Sequence, residues 1–304
     1  MPEVVCFGNA TIDVFVHLAE EHLQNGKLCL LPDSKISVDK IFFSTGGGAT
    51  NTAVGLRKLG LKTGIVCAVG KDENAKKILE ELKKENIDCS AVVKMRDYKT
   101  AYSVILTGFG ADRIILTFGG ATRHLESESQ INWDFLQEAE WFCVSSLHSK
   151  PKLLEKIFSF AEKKAILVAW NPGRSELKQG FKKLLPLLKK TTVLLLNNAE
   201  AEFLAKTKGT KENLKKLQKA VPLVVITLGK KGSIAFDGQR FYSEKARKVR
   251  VLDSTGCGDA FNSGFIASII RGKTISQALK LGSENAAQEI QFLGAKNNLI
   301  EKKL

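Results

Sequence analysis

Apolar residues along this chain fall in short continuous runs separated by longer amphipathic segments. That is the alternation a parallel sheet flanked by helices produces. Residues 4–7, 63–69, 140–145, 165–170, 192–196 and 223–227 read as strands. Their side chains are apolar nearly throughout, as expected of strands covered on both faces. Residues 51–59, 75–85, 152–163, 180–190 and 214–220 read as helices, with Leu79 and Leu82 sharing one face of the second. Helices are also expected at 260–271, 275–281 and 284–293.

Two regions, about 12–44 and 91–118, break this rhythm with strand-like runs instead of helices. In the second, Ala101 to Leu106 and Arg113 to Phe118 flank Gly108-Phe109-Gly110-Ala111-Asp112, which reads as a β-hairpin. Two strand-rich insertions in an α/β chain can build a small separate sheet, and over an active site such a sheet is a lid. Neither an internal repeat nor a low-complexity tract interrupts the pattern, so the expectation is a single domain over 1–304 with that appendage.

Composition narrows the classes. The apolar fraction of 44% is ordinary for a globular protein. No apolar run reaches the roughly 18–20 residues that span a bilayer. Met1 to Val5 lacks the basic-then-apolar form of a secretory signal, so the expected compartment is the cytoplasm. The six cysteines are scattered without a C-x-x-C pair, which argues against a disulfide framework or a cysteine zinc site. The four histidines show no metal-ligand spacing either. A net charge of +14 raises the question of nucleic acid. Its lysines, however, are spread along helical faces, as in Lys182-Lys183 with Lys189-Lys190, and no arginine-rich arm or aromatic–basic interleaving accompanies them. A solvated surface, with some attraction for an anionic nucleotide, is the expectation; neither nucleic acid nor membrane is an expected partner.

Candidate chemistry concentrates at Asp253-Ser254-Thr255-Gly256-Cys257-Gly258-Asp259, directly before a helical run. Glycines allow backbone N–H groups to approach an anion, and a helix start adds roughly half a positive charge. An acid is a poor phosphate ligand, so Asp259 is better used as a base toward an attacking hydroxyl, which points to phosphoryl transfer. The same residues also read as a glycine turn capped by an acid, and the local pattern leaves both readings open. A second cluster, Gly46-Gly47-Gly48 with Asn51, precedes another helix. Close backbone approach plus the donor and acceptor of Asn51 suit a polyol; a flexible turn with a helix cap is the alternative. A P-loop is excluded because no G-x-x-x-x-G-K-[ST] occurs. A dinucleotide fingerprint is excluded because Gly8-Asn9-Ala10-Thr11 lacks the second and third glycines.

Taken together, these blocks resemble the ribokinase-like (PfkB) carbohydrate kinase family over nearly the whole chain. Gly46 to Ala53 is similar to its first signature, Asn197-Asn198-Ala199-Glu200 to its Asn-x-x-Glu motif, Thr227 to Gly232 to its Thr-x-Gly-x-x-Gly turn, and Asp253 to Asp259 to its second signature. The resemblance implies a three-layer α/β/α sandwich with a mostly parallel central sheet and a small β-sheet lid. It implies an ATP-dependent kinase acting on a sugar hydroxyl. Asp259 would be the base, and the N–H groups of Gly256, Cys257 and Gly258 the anion hole. Asp13, Gly46, Gly47 and Asn51 would hold the acceptor. Thr227, Gly229, Gly232, Asn197 and Asn285 would serve the nucleotide. Glu200 and Asn197 would organise Mg²⁺, and Asp253 and Thr255 a monovalent cation such as K⁺. Lid sheets in this family can pair between subunits, which makes a homodimer one arrangement and an unpaired lid the other.

Cys257 departs from the usual Ala, and a helix N-terminus can lower a thiol's pKa, so oxidation sensitivity is a corollary to check. Asn198 stands where many relatives have Glu. A pentose or hexose is the first expectation for the acceptor, a nucleoside the second. A sugar phosphate is the third, with Arg113, Arg123 and Arg174 as cations for its phosphate and Arg174 the best placed. A non-catalytic sugar-binding protein is the rival class, and retention of Asp259, Asn197 and Glu200 speaks against it.

Overall fold

The computed structural model describes residues 1–109, 112–148 and 151–304. An eight-stranded sheet forms its centre, in the order Phe241–Glu244, Ser233–Phe236, Leu223–Thr227, Val193–Asn197, Leu167–Trp170, Trp141–Val144, Val4–Phe7, Thr63–Val66. The six strands from Leu223–Thr227 to Thr63–Val66 run parallel, and the two at the other edge join through antiparallel pairings, so that Ser233–Phe236 alone runs against the rest. Helices cover both faces. Alternate residues of one strand enter opposite cores: Val5 and Phe7 join the cluster with Phe142, Phe158 and Trp170, while Val4 and Cys6 join that with Leu56, Ile65 and Phe265. Both sides of these strands are therefore dry, which is why they are apolar without alternation. The three-layer α/β/α architecture expected from the motifs is the observed one.

Residues from both irregular regions pair in one four-stranded sheet, ordered Asp112–Phe118, Ala101–Phe109, Thr11–His17, Lys40–Gly46. Thr11–His17 pairs antiparallel with Lys40–Gly46 and parallel with Ala101–Phe109. The expected hairpin between 101–106 and 113–118 is present as an antiparallel pair, although Gly110 and Ala111 of its turn lie outside the described residues. Not all of 91–118 joins this sheet: Val93–Met95 pairs with Ala68–Gly70 instead. The strand expected over 63–69 is accordingly divided between two sheets.

The expected helices at 275–281 and 284–293 are one helix, Ile275–Glu289. Gly282, between those two stretches, does not interrupt the helix and serves close packing. A Cβ there would come within 2.9 Å of Phe261 O, and one at Gly264 within 2.9 Å of the Gly282 Cα. The two glycines let Ile275–Glu289 lie directly on the helix Cys257–Ile270. Sequence reading also missed the edge strands Ser233–Phe236 and Phe241–Glu244. The latter alternates half-buried with exposed residues and gives little apolar signal.

Candidate active site

Parallel sheets present their functional loops at the carboxyl ends of the strands. Here the relevant ends lie beside one another. Asn197 and Thr227, each the last residue of its strand, are direct register partners, which joins the Asn-x-x-Glu block to the Thr-x-Gly turn. Asn197 caps the helix Asn198–Ala205: its Oδ1 accepts from Glu200 N at 2.9 Å, and Glu200 Oε2 accepts from Asn197 N at 2.9 Å. Burial pushes the Glu200 carboxyl up, and its bonds to Asn197 oppose that. Beyond Thr227, the turn Gly229–Lys231 closes at Gly232, whose φ of 98° and contact with the Glu244 carbonyl exclude any side chain.

Gly256 caps the Cys257–Ile270 helix in the left-handed conformation, φ 86°, and a Cβ there would lie 2.4 Å from the Ala295 carbonyl. Gly258 is different. Nothing lies within 4 Å of the Cβ it lacks, and its backbone does not require glycine. Packing therefore does not explain the residue, whereas an anion seated on the helix's unbonded N–H groups would.

Asp259 sits in the first turn of this helix. Asn51 Nδ2 donates to its Oδ2 at 2.8 Å, linking the second signature to the glycine-cluster helix Gly48–Lys58. Burial raises the Asp259 pKa to about 6; Asn51 and Lys296 oppose the rise, and Asp13 and Glu200 add to it. That places the carboxyl near neutrality, where a general base works best. Asp13 comes from the small sheet, with Thr11 Oγ1 donating to it at 3.0 Å. Burial also pushes its carboxyl up, against Ser103, Thr11 and Lys296. Gly46 is required beside it, because a Cβ would lie 1.8 Å from Asp13 Oδ2.

The Asp253 carboxylate accepts from Thr255 N at 2.9 Å, Thr255 Oγ1 at 2.8 Å and Gly294 N at 3.2 Å. Glu289 was not anticipated here. It is fully buried at the end of its helix, and neither carboxyl oxygen has a hydrogen-bond partner. Burial, then Asp253 and Asp259, push its pKa up to about 9. An orphaned buried carboxyl beside Asp253 is the kind of donor a cation would satisfy, so the donor set Asp253, Thr255 and Glu289 fits one. Mg²⁺ is commonly held by one or two carboxylates with water and substrate phosphates, and Glu200 at the strand ends fits that use. Among the described residues no cluster of three or more His, Cys, Asp or Glu forms a metal cage.

Three expectations change. Asn285 does not line an open pocket. It is fully buried, donating to Ala260 O at 2.8 Å and Ser263 Oγ at 3.1 Å and accepting from Ile300 N at 2.8 Å. Its amide locks the two C-terminal helices and the tail together. Cys257 is no activated thiol: burial, then Glu289 and Asp259, push it up to about 12. Arg174 and Arg123 are exposed, and the arginine that reaches the signature loop is Arg113, which donates to Ser254 Oγ. Lys296 was also missed. It lies in the irregular tail after the last helix, where no periodicity marks a residue as buried.

A profile of the pfkB family carbohydrate kinases matches residues 1–303. A ribokinase of Staphylococcus aureus is 26% identical over 98% of this chain and 96% of its own length. A nucleoside kinase of Methanocaldococcus jannaschii is 23% identical over 98% of this chain and 94% of its own. The structure of Arabidopsis thaliana ribokinase complexed with ribose and ATP superposes with a TM-score of 0.83 at 21% identity, covering 98% of this chain and 95% of that one. An α/β/α sheet with two of these motif blocks at its strand ends and the other two at helix starts is a ribokinase-like kinase fold. The chain belongs to the pfkB family of carbohydrate kinases.

Proposed function

We propose that this protein transfers the γ-phosphoryl group of ATP to a hydroxyl of an uncharged sugar, a pentose or hexose, with Asp259 as the base. The observation that carries this reading is the Asn51–Asp259 hydrogen bond of 2.8 Å. It joins the glycine cluster suited to a polyol to the helix start suited to a phosphoryl group, so the two reactants meet at one carboxylate. Asp13, Asn51 and the Gly46-Gly47 backbone orient the acceptor. Asp259 takes the proton of the attacking hydroxyl. The N–H groups at Gly256, Cys257 and Gly258 receive the charge that develops on the transferred group.

Thr227, Gly229 and Gly232 shape the nucleotide side. Glu200 with Asn197 would hold Mg²⁺, which supplies positive charge to the phosphoryl oxygens, and Asp253, Thr255 and Glu289 would hold a monovalent cation such as K⁺. The four-stranded sheet acts as a lid, and Arg113 is its bolt on the signature loop through Ser254. Closure excludes water and limits wasteful hydrolysis. An uncharged acceptor is favoured over a sugar phosphate because Asp13, Asp259 and Glu81 surround a single cation, Lys296.

The small sheet exposes Ile41, Phe42 and Phe43 on one edge strand and Ile114, Ile115 and Leu116 on the other. Edge strands so apolar support a homodimer through the lid. Six free thiols suit a reducing cytoplasm. The test is a coupled ADP-release screen across pentoses, hexoses, nucleosides and sugar phosphates, with and without K⁺. Turnover with a free sugar is the expected result. Turnover confined to nucleosides or sugar phosphates would replace the acceptor, and none with any of them would refute the activity.

A further inference from the structure

Lys296 is the most unusual charge in the molecule. Its side chain is 2% exposed although lysine is almost never buried without a partner. Four segments enclose it. Its Nζ donates to Thr50 Oγ1 at 3.2 Å, at the start of the Gly48–Lys58 helix. It lies 3.7 Å from Glu81 Oε1 on the helix Glu73–Lys84. Its field reaches Asp13 in the small sheet and Asp259 at the signature helix. Glu81 is itself anchored, accepting from Thr45 Oγ1 with its other oxygen.

Two carboxylates in one dry site repel each other and resist ionisation, and a single well-placed ammonium can offset both effects. We propose that Lys296 is a positioning residue of the phosphoryl transfer: its buried ammonium is the counter-charge that keeps Asp13 and Asp259 ionised together, so that one binds the acceptor while the other serves as base. Thr50, next to the Asn51 that binds Asp259 and four residues after the Gly46 that packs on Asp13, holds that ammonium away from solvent together with Glu81. The proposal rests on Asp259 being the base, and Asp259→Asn tests that reading separately.

Other titratable groups also face Asp259. Asp13 and Glu200 push it up, and Cys6, Cys257 and Glu289 feel its charge. Lys296 is the cation that acts on Asp259, whereas Arg113 on the signature loop acts on Cys257 and Glu289. Burial also pushes Lys296 itself down, while Glu81, Asp13 and Asp259 hold it up. The ammonium and its carboxylates thus stabilise each other's charged forms.

The test is the pH profile of kcat at saturating acceptor for the wild type and for Lys296→Met, Lys296→Arg and Glu81→Gln, with thermal melts to confirm folding. Lys296→Met should move the acid limb up by about one pH unit or more. With the wild-type limb near the Asp259 value of about 6, that is a loss of about threefold at pH 6.5 that vanishes above about pH 8.5. Lys296→Arg should leave the limb in place. Glu81→Gln removes the acid that helps to hold the ammonium charged and in place, so it should move the limb up as Lys296→Met does, by a smaller step, which keeps the idea testable even if Lys296→Met does not fold. An unmoved limb in Lys296→Met, a loss uniform across pH, or a downward move in Glu81→Gln would overturn the proposal. If Asp259→Asn retained turnover, the base assignment would fail first.

Discussion

Asp259→Asn separates the two things the proposed base would do when buried, catalyse and destabilise. Burial holds the Asp259 carboxyl at about 6, above its ordinary 3.8. A carboxyl whose folded pKa is raised favours the fold fully only below the unfolded value, and loses that advantage as pH rises through the folded one. Above pH 6, ionised Asp259 therefore costs stability, at most about 3 kcal/mol at pH 7.5 for a shift of this size, less whatever solvent contact the partly exposed side chain keeps. An amide cannot ionise, and it can still meet Asn51 through its own oxygen or nitrogen.

The variant should consequently melt several degrees higher than the wild type at pH 7.5. The gain should shrink to about 0.5 kcal/mol near pH 4, where the folded wild type carries the proton too. Turnover should fall by about a thousandfold or more in a coupled ADP-release assay, while ATP binding measured by calorimetry persists. Near wild-type turnover refutes the base. A melting temperature unchanged at pH 7.5, or a gain independent of pH, refutes the argument from burial.

Other outcomes follow from the same geometry. Gly46→Ala would push Asp13 aside and should raise the acceptor KM about tenfold or more while leaving the ATP KM near its original value, as initial-rate kinetics would show. Asn51→Ala removes the amide that orients Asp259 and should lower kcat by about tenfold to a hundredfold at the optimum, with the acid limb of the pH profile moving up. Gly264→Ala forces a methyl into the Gly282 backbone and should cost about 1–3 kcal/mol in urea unfolding; an unchanged midpoint would show that the two helices separate easily. Replacing both Ile115 and Phe43 by Asp should abolish any concentration-dependent dimer in sedimentation, if the lid edges are the interface.

Much of this protein was legible before its fold was known. The strands at 4–7 and 223–227 stood out because a strand dry on both faces must be apolar throughout. Asn197 to Glu200 and Thr227 to Gly232 were read from the family resemblance, whereas Gly46 to Asn51 and Asp253 to Asp259 stood out because close backbone approach to a ligand demands glycine and a helix start attracts an anion. Both are local requirements, so they are written at fixed spacing in the chain. The family followed from their order.

What the sequence could not determine depends on residues far apart in the chain. The stretch at 275–293 reads as two helices until Phe261 is seen packed against Gly282. Asn285 reads as a pocket residue until Ala260, Ser263 and Ile300 consume its amide. Cys257 reads as a thiol at a helix start, where a pKa falls, until burial and two carboxylates push it the other way. Lys296 and Glu289 look like any other charges in a chain of net +14. Only the tertiary structure removes their water, and a charge without water must find a partner or be neutralised, the lysine by losing a proton and the carboxylate by gaining one. The sequence by itself determined the family and its motif blocks; the packing decided which charged groups meet beside them and which stay charged, because desolvation depends on what the fold brings together.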